Sequence, residues 1–341
     1  MENKCVLPFI NYDYQSNSPC CILKNYNHSL DQQELVDNHK NNIKSKFCKD
    51  CWKSEKVGIE SKRQRYNNLY KKYLDQTDRK VKLSIIPVGN VCNLNCITCY
   101  PSLSTGWIKK HTFMYGKLPT SKIHKDITVS DVENVDQLDH VEFIGGETLQ
   151  SKSFWKYLEQ MNKNISFSCQ TNGTVDLSKN QIDLLNTFTK FNICFSIDGV
   201  GKIFDYIRQP ATWQTVHNNI KKYASYFNKK RLSFFITVSN LNIFYIDSIM
   251  INLFKTLPVS QMLNLVHEPD EFSYCNLTPS MGQIVEKNNP AFFKKHNVKW
   301  SGTQHSMEKM INNLTRQDLY SKRNFSEYLP EVYNLIKKEK I

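Results

Sequence analysis

No run of 18 or more apolar residues occurs in this chain, so nothing in it reads as a membrane-spanning helix. It also lacks internal repeats and low-complexity blocks, which removes solenoids and propellers. The N-terminus, MENKCVLPFINYDYQ, has no basic segment leading into an apolar stretch and a small-residue cleavage site. No signal peptide is therefore expected, and the compartment expected is the cytoplasm. Acidic residues are the scarce charge, 32 Asp and Glu against 45 Lys and Arg, which leaves a formal +13. The lysines are spread along the chain rather than gathered in one segment, so the excess reads as a solvated surface, compatible with an acidic peptide partner but not pointing to one. What is present is ample: 341 residues, 40% hydrophobic and 12% aromatic, lie far from the disordered regime and can bury one large domain or a large and a small one. Eleven cysteines, an odd number in a reducing compartment, point to metal or redox chemistry rather than disulfides.

Six β-rich runs stand out: 81–89, 140–146, 165–171, 191–197, 231–238 and 260–266. Stretches of helical spacing such as SFWKYLEQMNKN and WQTVHNNIKKYASYFN lie between them, and alternation of this kind gives a parallel sheet. Right-handed crossovers would curl it into part of a barrel. A seam is expected at Gln76–Lys80, after a polar helical stretch at about Glu55–Leu74, and from residue 280 onward only helix-like segments follow. The expected organisation is α/β: a Cys-rich N-terminal domain over 1–77, a partial (β/α)6 TIM-type barrel over 78–279 and a helical C-terminal extension over 280–341.

The sharpest motif is VCNLNCITCY, which sets Cys92, Cys96 and Cys99 in a CxxxCxxC loop directly after the first run. Structural zinc sites use four protein ligands, usually as two pairs. Three thiolates on one short loop suit a 4Fe-4S cluster whose fourth iron stays open for another ligand. Four more patterns follow at the ends of successive runs: Gly145, Gly146 and Glu147 in GGE; QTNG at Gln170–Gly173; Ser196, Asp198 and Arg208 in FSIDGVGKIFDYIRQP; and Thr237, Ser239 and Asn242 in TVSNLN. Paired glycines admit a ligand close to the backbone, a carboxylate accepts from an ammonium, and the planar fork of arginine binds both oxygens of a carboxylate. Strand ends of a parallel barrel converge on one face, where active sites gather.

These five motifs in this order resemble the radical S-adenosylmethionine superfamily, over about residues 80–270. The family usually has an aromatic residue before the third cysteine; here Thr98 stands there and Tyr100 follows the cysteine instead. The resemblance implies a 4Fe-4S cluster on Cys92, Cys96 and Cys99 that binds S-adenosylmethionine and cleaves it reductively to a 5'-deoxyadenosyl radical, which abstracts hydrogen from a substrate. It further implies cofactor contacts from Tyr100, Gly145, Gly146, Glu147, Ser196, Asp198, Arg208, Ser239 and Asn242, and an electron donor such as flavodoxin or ferredoxin.

The N-terminal segment carries Cys5, the pair Cys20 and Cys21, and Cys48 and Cys51 in FCKDCW. This order, with the ending RQDLYSKRNFSEYLPEVYNL, resembles twitch-type auxiliary domains. It implies a second iron-sulfur cluster on Cys5, Cys20, Cys48 and Cys51, with Cys21 the alternative to Cys20; four cysteines of this kind also make a legitimate zinc set. Twitch relatives often modify ribosomally made peptides, so a peptide or protein is the favoured substrate. Cys169 and Cys194 sit in apolar strands and read as small core residues, while Cys275, just past the last strand, is a candidate hydrogen donor or ligand at the barrel mouth. The competing class is a non-catalytic, zinc-stabilised nucleic-acid-binding module, which would hold zinc and bind in a steeply salt-dependent way. The aromatic-rich stretches fit strand and helix packing, so base stacking is not indicated.

Overall fold

The computed structural model describes residues 3–13, 18–20, 23, 26–75, 78–119 and 137–339. Seven strands form one sheet: β1 (Asn11–Asp13), β2 (Leu83–Pro87), β3 (His140–Ile144), β4 (Ser166–Thr171), β5 (Phe191–Ser196), β6 (Leu232–Val238) and β7 (Ser260–Leu265). Every neighbouring pair is parallel and the spatial order is the sequence order. Each strand is thus laid beside its predecessor after a helical crossover, among them Gly106–Tyr115, Lys152–Gln160, Lys179–Asn186, Trp213–Tyr226 and Ile246–Thr256. This single winding sense is that of a barrel rather than of a doubly wound sheet, whose order reverses part-way. No pairing joins β7 to β1 among the described residues, so the barrel is open.

The six runs read from the sequence are β2 to β7. The extra strand, β1, is three residues long, too short to show a period of two, and it brings the N-terminal segment into the sheet through Asn11 opposite Leu83. The expected helix at Glu55–Leu74 is divided into Lys49–Lys56 and Lys62–Leu69. Gly58 turns the chain at φ +77°, and Ser61 restarts the helix with a reciprocal capping box to Gln64. Residues 76 and 77, at the expected seam, lie outside the described residues. No described helix is long and apolar enough to cross a membrane.

Alternation along the strands separates two surfaces. In β4, Phe167 and Cys169 are buried while Ser166, Ser168 and Gln170 are partly exposed. The outward set packs under the helices in an aromatic cluster, where Phe167 meets Phe188 at 4.9 Å and Phe143 at 6.0 Å, edge to face, and stacks on Phe191 at 5.5 Å. The opposite face is mixed: His140, Glu142, Ser168, Asn192 and Ser233, together with apolar surface from Tyr66, Leu232, Phe235 and Met262, line a cavity of about 590 Å³ inside the barrel. Cys169 and Cys194 are buried and also reach its wall. Helix Lys62–Leu69 adjoins this lumen, with the Arg65 guanidinium 5.4 Å from the Phe235 ring centre and donating to the Leu263 carbonyl at 3.5 Å. The fold therefore rests on the outer, aromatic layer and leaves the lumen free. Phe167→Ala should cost about 3–5 kcal/mol in urea denaturation, the range for large-to-small changes in a packed core.

Candidate metal and cofactor centres

The loop after β2 has its backbone tied down on all sides. The Asn95 and Ile97 amides donate to the Gln209 and Ile207 carbonyls at 2.7 and 2.8 Å. The Cys92 amide donates to Thr105 Oγ1 at 3.1 Å, Trp107 Nε1 to the Cys96 carbonyl at 2.8 Å, and Gln317 Nε2 to the Ile97 carbonyl at 3.2 Å. With these groups satisfied, the loop presents Cys92, Cys96 and Cys99 to one cavity of about 260 Å³ at the strand tips. Burial pushes all three thiols up, Cys96 to about 11, and ionisation of Cys96 and Cys92 would push Cys99 further. The Arg208 charge opposes the rise at Cys96 and Cys99. Lys110, fully buried, places Nζ 3.0 Å from the Asn95 carbonyl and 4.6 Å from the Trp107 ring centre. Burial lowers its pKa to about 7, against the pull of the same cysteines.

Strand tips approach the loop where only glycine fits. A Cβ on Gly146 would lie 2.3 Å from the Val91 carbonyl oxygen, and one on Gly106 2.4 Å from that of Leu94. Gly145, Gly146, Ser196, Asp198 and Arg208 all line the same cavity as the three thiols. Asp198 pairs with Arg208 Nε at 2.7 Å and accepts from the Thr237 amide at 3.0 Å. Asn242 lies behind, donating to the Asp198 and Thr237 carbonyls and accepting from the Ser239 amide.

Glu147, Tyr100, Ser239 and Asn242 are not on the cavity wall. The Glu147 carboxylate, 1% exposed, accepts from Thr171 Oγ1 at 2.8 Å and from the Leu149 and Asn172 amides at 3.1 and 2.6 Å, joining the tips of β3 and β4. Tyr100 is exposed beside Cys99. The wall and near-wall residues that the sequence reading did not single out include Asn172, whose Nδ2 lies 3.8 Å from Cys92 Sγ, Ser104 and Lys110. Asn172 was within reach of the QTNG pattern. Lys110 was not, since a lysine three residues after Trp107 carries no signal of burial.

A second, enclosed cavity is lined by Cys5, Cys20, Cys48 and Cys51 together with His39 and Arg63. Cys21 lies outside the described residues. Burial raises the Cys5, Cys48 and Cys51 thiols, and Cys5 is raised further by Cys48 and Cys51. Arg63 is locked by Glu55, with Nε to Oε1 at 3.0 Å and Nη2 to Oε2 at 2.6 Å. Cys275 belongs to neither centre. Its Sγ is 3.5 Å from Ser273 Oγ and 3.4 Å from Ser301 Oγ, in a separate cleft shared with Lys53, Lys56 and Lys299. Among the described residues no three His, Cys, Asp or Glu side chains are placed to hold a single metal ion.

In donor chemistry both cavities fit an iron-sulfur group. Clustered cysteines, buried in the N-terminal cavity and partly buried at the strand tips, can all become thiolates only against a cation that offsets their mutual repulsion, and thiolates are the ligands such clusters take.

No protein-family model matches the chain, and no curated protein does. Among solved structures it is similar to native anSMEcpe with bound AdoMet, at 19% identity over 62% of this chain and 59% of that one, TM-score 0.42. It is similar to Streptococcus suis SuiB bound to S-adenosylmethionine at 11% identity, 81% and 62% coverage and TM-score 0.44. TYW1 with a lysine-pyruvate adduct bound matches at 14% identity, 75% and 82% coverage and TM-score 0.36. The chain spans about three-fifths of the length of the first two.

The buried Glu147 gives a pH test. Burial raises its folded pKa from 4.5 to about 7, so the native state holds more protons than the unfolded state between those values. Glu147 on its own lowers stability as pH rises through that window, by up to about 1.4 kcal/mol per unit, while the buried His39 and His140, lowered to about 4, act in the opposite sense below about 6.5. In Glu147→Gln the slope of stability against pH, read from denaturation curves across the window, should become more positive than in the unaltered chain by up to about 1.4 kcal/mol per unit; an unchanged slope would contradict the shift.

Proposed function

We propose that this chain is a radical S-adenosylmethionine enzyme. The observation that carries the reading is the single cavity at the strand tips into which three thiols, two glycines and the Asp198–Arg208 pair all face. Cys92, Cys96 and Cys99 would hold the cluster, and the same cavity would take S-adenosylmethionine. Bound there, cluster and S-adenosylmethionine would supply one-electron cleavage of a sulfonium and, through it, hydrogen-atom abstraction from a substrate.

The chain's own residues bind and position. Arg208, fixed by Asp198, offers a buried positive charge to the methionyl carboxylate, and Ser196 and Asp198 offer polar atoms to the ribose. Gly145 and Gly146 let the β3 tip close against the backbone of residues 89–91, which brings their own backbone to the cavity wall beside the methionyl end. Glu147, with both oxygens engaged by β4 and its own turn, acts by holding that backbone in place. The lumen, largely apolar with polar groups such as His140 and Glu142 on its wall, shares Gln170 and Phe235 with the thiol cavity and is the place for a substrate. A peptide or protein substrate follows from the resemblance of the N-terminal cysteine pattern to twitch domains. The same resemblance supports an auxiliary iron-sulfur site on the N-terminal cysteines, with a flavodoxin or ferredoxin as the electron source.

Anaerobically reconstituted protein should be brown, bind about four irons at the Cys92–Cys99 loop and cleave S-adenosylmethionine under a strong reductant. Cys96→Ala should abolish cleavage, and a colourless protein that keeps zinc at this loop would refute the reading. Arg208→Ala should retain the iron yet raise the half-saturating S-adenosylmethionine concentration about 10- to 100-fold, the scale of one lost charge-assisted bond. An unchanged saturation curve would remove Arg208 from the cofactor site.

A further inference from the structure

The N-terminal cavity holds a donor that the cysteine pattern did not include. His39 is 1% exposed on helix His28–Lys40 and lines the cavity beside the four cysteines. Its Nδ1 is 3.0 Å from the Asn3 carbonyl oxygen. A carbonyl only accepts, so Nδ1 carries the ring proton and the lone pair of the neutral imidazole is on Nε2. Nε2 lies 3.7 Å from Cys48 Sγ. A backbone carbonyl fixing the far nitrogen of a buried histidine is the usual outer support of a metal ligand.

The spacing is informative. A tetrahedral ion bonded to sulfur at about 2.3 Å and to imidazole nitrogen at about 2.0 Å separates the two ligand atoms by about 3.5 Å. As a thiol, Cys48 can donate to the Nε2 lone pair. As a metal thiolate it cannot, and two lone-pair atoms would then face each other at contact distance unless a cation lay between them.

Resting on the reading of this cavity as an iron-sulfur site, we propose that His39 and Cys48 bind the same iron. Four protein ligands give a cubane one ligand per iron and a two-iron cluster two per iron. A shared iron therefore makes this centre a 2Fe-2S cluster of mixed histidine and cysteine ligation, its second iron held by two of Cys5, Cys20 and Cys51. Cys48 enters with loss of its thiol proton to solvent, and His39 enters as the neutral ring with no proton change.

The test uses the full chain with Cys92, Cys96 and Cys99 all changed to Ala, reconstituted with iron and sulfide in the absence of S-adenosylmethionine. The expected result is about two irons per chain and, in pulsed EPR of the reduced protein, a nitrogen coupling of directly bonded imidazole that changes on ¹⁵N-histidine labelling. His39→Cys should keep the two irons and lose the coupling. Four irons, or two irons without the coupling, would overturn the assignment of His39 alone. A folded variant free of iron, or loaded with zinc, would overturn the auxiliary-cluster reading beneath it while leaving the strand-tip centre untouched. If the triple variant fails to fold, the same isotope comparison on the unaltered chain decides between imidazole and all-sulfur ligation.

Discussion

Three sulfur atoms on one short loop, partly withdrawn from water and close enough to raise one another's pKa, set the condition that the surrounding structure answers. Thiols in such a place stay protonated and inert; they become ligands only if positive charge offsets burial and mutual repulsion. Arg208 and Lys110 supply part of that charge, and a cationic cluster would supply the rest. A loop left free could escape the conflict by turning a cysteine to solvent. Here Gln209, Ile207, Thr105 and the side chains of Trp107, Lys110 and Gln317 hold its backbone, so the thiols remain together.

The same logic runs through the barrel. An open, singly wound sheet places its strand tips on one rim, and the rim residues are bonded to each other more than to the lumen. Glu147 joins β3 to β4, and Asp198 with Asn242 joins β5 to β6. Because aromatic packing under the helices carries the stability, the lumen can stay hollow and keep polar groups such as His140 and Glu142 on its wall. Arg65 lies against its wall at Phe235 and Leu263, so the N-terminal segment adjoins both the lumen and its own cysteine cavity.

What could be read from the sequence was whatever repeats locally. β2 to β7 were visible because each runs for five residues or more between helical stretches, and the cysteine, glycine and SIDG patterns announced themselves by spacing. β1 was hidden by its three residues. Glu147 was legible as a motif but not in its contacts, since nothing in GGE reveals that Thr171 and Asn172 will occupy its oxygens. His39 was silent: a histidine in a polar helix gains meaning only when Asn3, 36 residues away, fixes its ring and Cys48 meets its other edge. Local pattern thus located the ligand atoms, whereas long-range packing decided which side chains support them.

The central claim, that Cys92, Cys96 and Cys99 would hold an iron-sulfur cluster able to bind S-adenosylmethionine, is tested most directly by EPR of the reduced protein with S-adenosylmethionine labelled with ¹⁵N at its amino group. The account predicts that adding the labelled compound shifts the cluster signal and introduces a ¹⁵N coupling, with both effects lost in Cys96→Ala. A cluster signal that S-adenosylmethionine leaves unchanged, or a reduced protein with no iron signal at this loop, would contradict it.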